Sequence, residues 1–254
     1  MRRACRVAGL MLIAGLFAVL ASHGNAATIS LGPVADAFVS SANPANNYGG
    51  AGSLEVSAAG LAKGEFDSLL QFDLSSAKSS FDTAFGSGQW TVQDVSLQLT
   101  ANFPNNAIFN ASTAGQFAVN WMQNDGWQEG QGTPAAPSTT GITFDSLPSF
   151  LSAGEQSLGT FSFSGSTSAT AIYPLKSASG ILSDLEAGNL TSLLLKANDT
   201  TMSGLFNSRS FNTFGSRPML TIDAVAVPEP TGWMLGALGA GAVAVVRRRF
   251  VKRS

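Results

Sequence analysis

The sequence predicts an all-β domain, a jelly-roll-like β-sandwich with one short helix, flanked by an N-terminal signal helix and a C-terminal transmembrane helix. Three observations lead there. Apolar residues alternate with polar ones at period two, turn-forming Gly, Ser, Thr, Asn and Pro recur at short intervals, and no fixed internal repeat points to a solenoid or propeller. The alternation is clearest at Val95, Leu97, Leu99 and Ala101, at Phe117, Val119 and Trp121, and at Leu220, Ile222 and Ala224, each set placing one face of a strand inward. Leu54 with Val56 and Phe161 with Phe163 give further strands, Leu69–Leu74 a more continuous one, and Leu193–Leu195 a buried central strand. About ten strands fit two sheets. Between Ser177 and Gly188, Ile181, Leu182 and Leu185 share one helical face, Asp184 and Glu186 are expected to point away, and Gly188 with Asn189 can end the helix. Two long polar loops, Asn43–Gly52 and Gly130–Gly141, are the expected recognition surfaces.

Both ends carry address signals. Arg2, Arg3 and Arg6 precede an apolar run from Val7 to Ala21, and Gly24-Asn25-Ala26 offers small residues to a signal peptidase, so residues 1–26 read as a signal peptide cleaved after Ala26. Residues 228–254 read as a sorting tail. In it the sixteen residues Thr231–Val246 are uncharged, and Arg247, Arg248 and Arg249 follow as a membrane stop. A helix of that length reaches about 24 Å against a hydrocarbon core of about 30 Å, a marginal span suited to a temporary anchor. Pro228-Glu229-Pro230, the glycine-rich apolar run and the arginine cluster, in that order, resemble the PEP-CTERM sorting signal. The resemblance implies an exosortase as partner beside signal peptidase, in a Gram-negative bacterium. It implies passage through the inner membrane, transient anchoring there, and delivery to the cell surface or extracellular matrix. The alternative is a plain anchor in which Pro-Glu-Pro is a stiff linker.

The body between, residues 27–227, is long enough for one all-β domain. The whole chain has a formal charge of −2, but the body holds only Lys63, Lys78, Lys176, Lys196, Arg209 and Arg217 against fifteen of the sixteen acids, a net −9. Such a surface repels phosphate backbones, and nucleic acid is not an expected partner. The one cysteine, Cys5, and the one histidine, His23, both fall in the signal peptide. The body therefore cannot form a Ser-His-Asp triad, a Cys-His nucleophile or a conventional zinc site. Paired carboxylates for glycoside hydrolysis stay possible in kind, but no spacing singles out a pair. No cofactor is required; a structural calcium near Asp36, Asn46, Asp199 and Asp223 is the one metal site the oxygen donors leave open.

Sugar binding needs flat aromatic faces edged by amide, hydroxyl or charged groups. Trp127, flanked by Asp125 and Glu129 among polar neighbours, reads either as an exposed platform or as a half-buried Trp in a turn. Tyr48 and Trp90 are further candidates, whereas Trp121 alternates with Phe117 and Val119 and belongs to the core. Arg209 and Arg217, the body's only arginines, could take a ligand's acidic groups or pair with nearby acids.

In order along the body, ADAFVSSANPANNYGGAGSLEV (Ala35–Val56), SLLQFDLSS (Ser68–Ser76), VSLQLTA (Val95–Ala101), NDGWQEG (Asn124–Gly130), ITFDSLP (Ile142–Pro148), LLLKAND (Leu193–Asp199) and FNSRSF with RPMLTID (Phe206–Asp223) resemble the DNRLRE, or disaggregatase-related, family. These are secreted β-sandwiches with carbohydrate-binding members. The chain departs from the family at Phe66-Asp67, where relatives often carry a basic residue, and at Ser210, where relatives place an acid beside the arginine. The resemblance implies a non-catalytic module that binds or stabilises extracellular polysaccharide in a biofilm matrix. A structural matrix or adhesion protein without sugar recognition, and a polysaccharide-cleaving enzyme, are the alternatives. Exchanging Pro228, Glu229 and Pro230 for alanines is expected to leave uncleaved protein in the inner membrane on fractionation; normal release rejects exosortase processing.

Overall fold

The computed structural model describes residues 26–104, 108–176 and 178–227. The expected signal peptide up to Asn25, the sorting motif and the apolar tail lie outside the described residues. No helix among the described residues is long and apolar enough to cross a membrane.

The chain forms two antiparallel sheets. Strands β1 (Ala26–Leu31), β2 (Ala35–Ser40), β3 (Ser53–Ser57) and β4 (Phe66–Asp73) come first, then helix α1 (Ser75–Phe85), β5 (Trp90–Thr100) and β6 (Gly115–Met122). A long connection holding helix α2 (Leu147–Leu151) leads to β7 (Glu155–Phe163) and β8 (Thr170–Leu175). Helix α3 (Ser179–Ala187), β9 (Leu190–Ala197), β10 (Ser203–Asn207) and β11 (Met219–Ala226) complete the body. One sheet has the order β1-β11-β5-β8, the other β10-β3-β4-β9-β6-β7 with β2 along β4.

The alternating residues form the main core between the sheets. Val95, Leu97 and Leu99 of β5 and Leu220, Ile222 and Ala224 of β11 meet Leu70 and Phe72 of β4, Leu193 and Leu195 of β9, and Phe117, Val119 and Trp121 of β6. The seven-stranded sheet is buried on its other face too. Leu69, Leu194 and Met122, the pleat partners of the residues just named, join Ala37 and Val39 in a second core closed by Trp127, Ile142 and Leu147. The β6–β7 connection is thus a lid laid over the sheet's outer face. Beside it Phe38, Tyr48, Phe66, Phe109 and Leu205 make a third cluster, with Tyr48 stacked on Phe38 at 4.6 Å.

Among the described residues three α-helices replace the single one expected in the body. The missed α1 buries Ala77 and Phe81 four residues apart, but the rest of its sequence is mostly serine and threonine, poor helix formers that read as a loop. Tertiary and local polar contacts hold it. The Asp73 carboxylate accepts from the Ser75 N–H, Lys78 pairs with Asp82, and the Trp90 indole donates to Asp82 at 2.8 Å. The short α2, begun by Pro148 in its first turn, anchors the lid through Leu147. Helix α3 lies within the expected span and buries Ile181 and Leu185. It ends at Gly188 with φ 68°, where the Gly188 N–H bonds Leu185 O and the Asn189 N–H bonds Asp184 O. Asp184 does not point away as expected: its carboxylate accepts from the Trp121 indole at 2.6 Å, because that core tryptophan needs a partner for its N–H.

The two long loops lock together around Asn47, which is fully buried. Its side-chain amide donates to Glu129 O at 2.7 Å and Ile142 O at 2.8 Å, and its carbonyl accepts from the Gly49 and Gly132 N–H groups. The backbones run so close that a Cβ at Gly49 would fall on the Glu129 carbonyl, and one at Gly132 on the Asn47 carbonyl. Each buried backbone group stranded by loss of Asn47 costs about 1–3 kcal/mol. Asn47→Ala is therefore expected to lower unfolding free energy by about 3 kcal/mol or more, read as an earlier urea midpoint.

Candidate functional site

Three groups of residues carry the polar chemistry of the body. The first joins β2, the lid and the β10–β11 loop. The Arg209 guanidinium grips the Glu129 carboxylate through Nε to Oε1 at 2.7 Å and Nη2 to Oε2 at 2.5 Å. The Arg209 backbone N–H donates to Asp36 Oδ2 at 2.6 Å, and the Asp36 N–H donates to Glu129 Oε1 at 3.2 Å. Glu129, 80 residues away in sequence, is thus the acid that pairs with Arg209. Asp36 is buried, and burial, opposed by the Arg209 N–H and helped by the Glu129 charge, pushes its carboxyl up to about 7.

The second group surrounds Trp127 and corrects its expected exposure. The side chain is only 4% exposed, and its indole N–H donates to Ser192 Oγ at 2.9 Å. Gln71 bridges the same hydroxyl to Asp125 O, at 3.2 and 2.8 Å. Burial raises the Asp125 carboxyl to about 6, against hydrogen bonds from Ser192. Trp127 plugs the second core because Leu69 and Leu194 leave an apolar floor that something must cover. It offers no face to a ligand. Tyr48 is buried at 2% exposure, and Tyr173 is buried in the main core.

The third group lies at the outer face of the four-stranded sheet. Gln98 of β5 reaches the turn Phe214–Ser216, its amide donating to Gly215 O at 3.2 Å and Arg217 O at 3.3 Å. The register sets Gln98 beside Ile172 of β8. Phe214 and Ile172 are 67% and 66% exposed, and the Arg217 guanidinium lies 5.5 Å from the Phe214 ring centre. Arg217 Nε donates to Phe211 O at 2.6 Å, and among the described residues no carboxylate pairs with Arg217. Around this apolar spot the face is Ser- and Thr-rich, with Ser30 bonded to Thr221 and Thr100 to Thr170. Of the ligand candidates named from sequence, Arg217 stands here, Glu129 and Arg209 join each other, Asp125 and Trp127 share the lid's underside, Tyr48 is buried against Phe38, and the Trp90 indole is bound to Asp82. Phe214, Ile172 and Gln98 were not foreseen. A Phe between Thr213 and Gly215, three residues before one of the body's two arginines, was the signal for the first.

The four candidate calcium donors do not converge. Asp36 sits with Arg209 and Glu129, and Asn46 donates to the Tyr48 hydroxyl. Asp199 accepts from the Gln116, Thr201 and Met202 N–H groups, while Asp223 on the other sheet accepts from Thr28. Among the described residues no three His, Cys, Asp or Glu side chains are grouped to hold a metal.

Residues 27–149 match the model of carbohydrate-binding module family 96. Carbohydrate binding is the activity this match implies, and family 96, as a carbohydrate-binding module family, is of a typically non-catalytic kind. No curated protein matches the chain. The family 96 match runs from β1 into α2 and stops before β9, which lies between β4 and β6, and β11, which lies between β1 and β5. Arg209, Phe214 and Arg217 therefore lie beyond the matched stretch.

Asp36, Asp125 and also Asp67, raised to about 7 chiefly by burial, all have folded pKa values above the ordinary carboxylate value. Their contribution to stability is fully present at low pH and is lost as pH rises through about 6 to 7. Melting temperature is expected to fall between about pH 4 and about pH 7 and to level off above that, and Asp67→Asn is expected to flatten part of that slope.

Proposed function

We propose that this protein is an exported, non-catalytic module that binds or stabilises extracellular polysaccharide, reaching the bacterial surface or matrix through its sorting tail. The match of residues 27–149 to a carbohydrate-binding family carries the reading. Signal peptidase and an exosortase are its processing partners, and the inner membrane holds it only in passage.

The face at Phe214 supports this reading with the chemistry that sugar recognition needs. An exposed ring offers a flat apolar surface to the CH-rich side of a pyranose, Gln98 and the Ser and Thr hydroxyls border it, and Arg217 adds donors that no acid among the described residues occupies. The buried Trp127, a candidate from sequence, has no such access. Against the cleaving enzyme, the adjacent carboxylates of Asp36 and Glu129 are taken up by Arg209 rather than presented to a substrate. Against assembly along the β8 edge, Pro174 sits in that strand, where proline blocks extension of a sheet.

Affinity gel electrophoresis across neutral and acidic polysaccharides is expected to retard the protein in at least one gel. Phe214→Ala and Arg217→Ala are each expected to weaken that retardation about tenfold, the size of an aromatic or cation contact of about 1.4 kcal/mol. Trp127→Ala is expected to act through stability alone. A flat response to every polysaccharide rejects the binding function.

A further inference from the structure

Three segments far apart in sequence close into one ring of hydrogen bonds at Arg209. The lid contributes Glu129, β2 contributes Asp36, and the β10–β11 loop contributes both the side chain and the backbone N–H of Arg209. That loop runs from Ser208 to Pro218 and carries Phe214 and Arg217. At its far end Gln98 holds the Gly215 and Arg217 carbonyls and Asn207 holds the Ser216 carbonyl at 2.9 Å. At its near end the ring around Arg209 is the tie to the rest of the body, while Asn212 and Thr213 between the two ends are exposed.

We propose that Asp36, Glu129 and Arg209 form a pH-responsive latch that positions the Phe214–Arg217 loop, and so sets the strength of polysaccharide binding. This rests on the reading of that loop as the binding face. The charge count makes the latch responsive. The charged groups facing Asp36 are Glu129 on the lid and Arg209 on the loop, so two carboxylates share one guanidinium. With Asp36 protonated, its hydroxyl can donate to Glu129, the Glu129–Arg209 pair balances, and the ring is neutral. With Asp36 ionised, the buried ring carries a net negative charge and the two carboxylates repel. The Asp36 carboxyl titrates at about 7, raised by burial, so the closed loop is favoured below that value and disfavoured as pH rises through it. Asp36, Glu129 and Arg209 act through the loop and are positioning residues.

Hydrogen-exchange mass spectrometry on the full chain, corrected for intrinsic rates, tests the latch without any ligand. Peptides covering Ser208–Arg217 are expected to exchange about tenfold faster at about pH 8 than at about pH 6, while β5 and β9 peptides change little. Asp36→Asn keeps an acceptor for the Arg209 N–H without the charge, and is expected to hold the loop protected at both values. Glu129→Gln, which removes the repelling carboxylate and the salt bridge, is expected to expose the loop at both. Equal protection of the wild-type loop at the two pH values, or a change spread evenly through the core, overturns the latch whether or not the variants fold. Polysaccharide gels run at the same two pH values separate the claims. Binding that is strong and independent of pH overturns the link to the ligand. A loop that loosens in a protein binding no polysaccharide supports the latch and rejects the binding function.

Discussion

The structure depends on one constraint: β4 and β9 bury leucines on both faces. Leu70 and Phe72 with Leu193 and Leu195 face the partner sheet, while Leu69 and Leu194 face the other way. An antiparallel sheet commonly leaves one face to water, and here that solution is closed. Burying a leucine side chain is worth about 1.5–3 kcal/mol, so Leu69, Leu194 and Met122 together on the outer face are enough to dictate a cover. Among the described residues no third sheet or long helix provides one. It uses the connection between β6 and β7, a stretch rich in Gly, Pro, Ser and Thr, and most of what is unusual in the fold follows from making such a segment hold still.

A polar lid can stay only where its backbone groups find partners. Asn47 supplies four contacts from a buried amide, and glycines let the two loops approach to backbone contact. Trp127 provides apolar bulk and anchors its N–H on Ser192. Glu129, at the lid's exit toward the Asn47 lock, reaches Arg209 and thereby ties the last long loop to the same assembly. The buried carboxyls of Asp36, Asp67 and Asp125 all lie on this sheet or its lid, and each is driven up by desolvation. Covering both faces of one sheet thus creates the molecule's sensitivity to pH.

Much of the sandwich was legible because period-two alternation reports which face of a strand is wet. Val95 to Ala101, Phe117 to Trp121 and Leu220 to Ala224 all enter the main core, and Trp121 is buried as its spacing required. Helix α3 was legible from one apolar face and a glycine stop. Helix α1 was not, since its stability comes from Phe81 packing on Trp90 and from Asp82 receiving two donors, contacts that local propensity does not encode. Trp127 misled for a related reason. Polar neighbours normally mark an exposed segment, but a lid needs only one large side chain turned inward, and nothing local tells which sheet face lies beneath it. The pairing of Glu129 with Arg209 spans 80 residues, so only the folded chain could show it.

The same architecture explains why the candidate binding face lies on the other sheet. With the seven-stranded sheet covered on both sides, the outer face of the four-stranded sheet carries no lid among the described residues. Its Ser and Thr side chains satisfy one another in pairs, as Ser30 does with Thr221, which leaves a flat surface with little to reward a ligand. The exception is where the β10–β11 loop folds onto Gln98 and adds a ring and a guanidinium. In a body of net charge −9, Arg217 is the arginine that no carboxylate claims among the described residues, whereas Arg209 is neutralised by a bidentate partner. The two arginines of one loop therefore divide their work. One spends its charge within the protein to fix the loop, which is what allows the other to meet a ligand from a defined position.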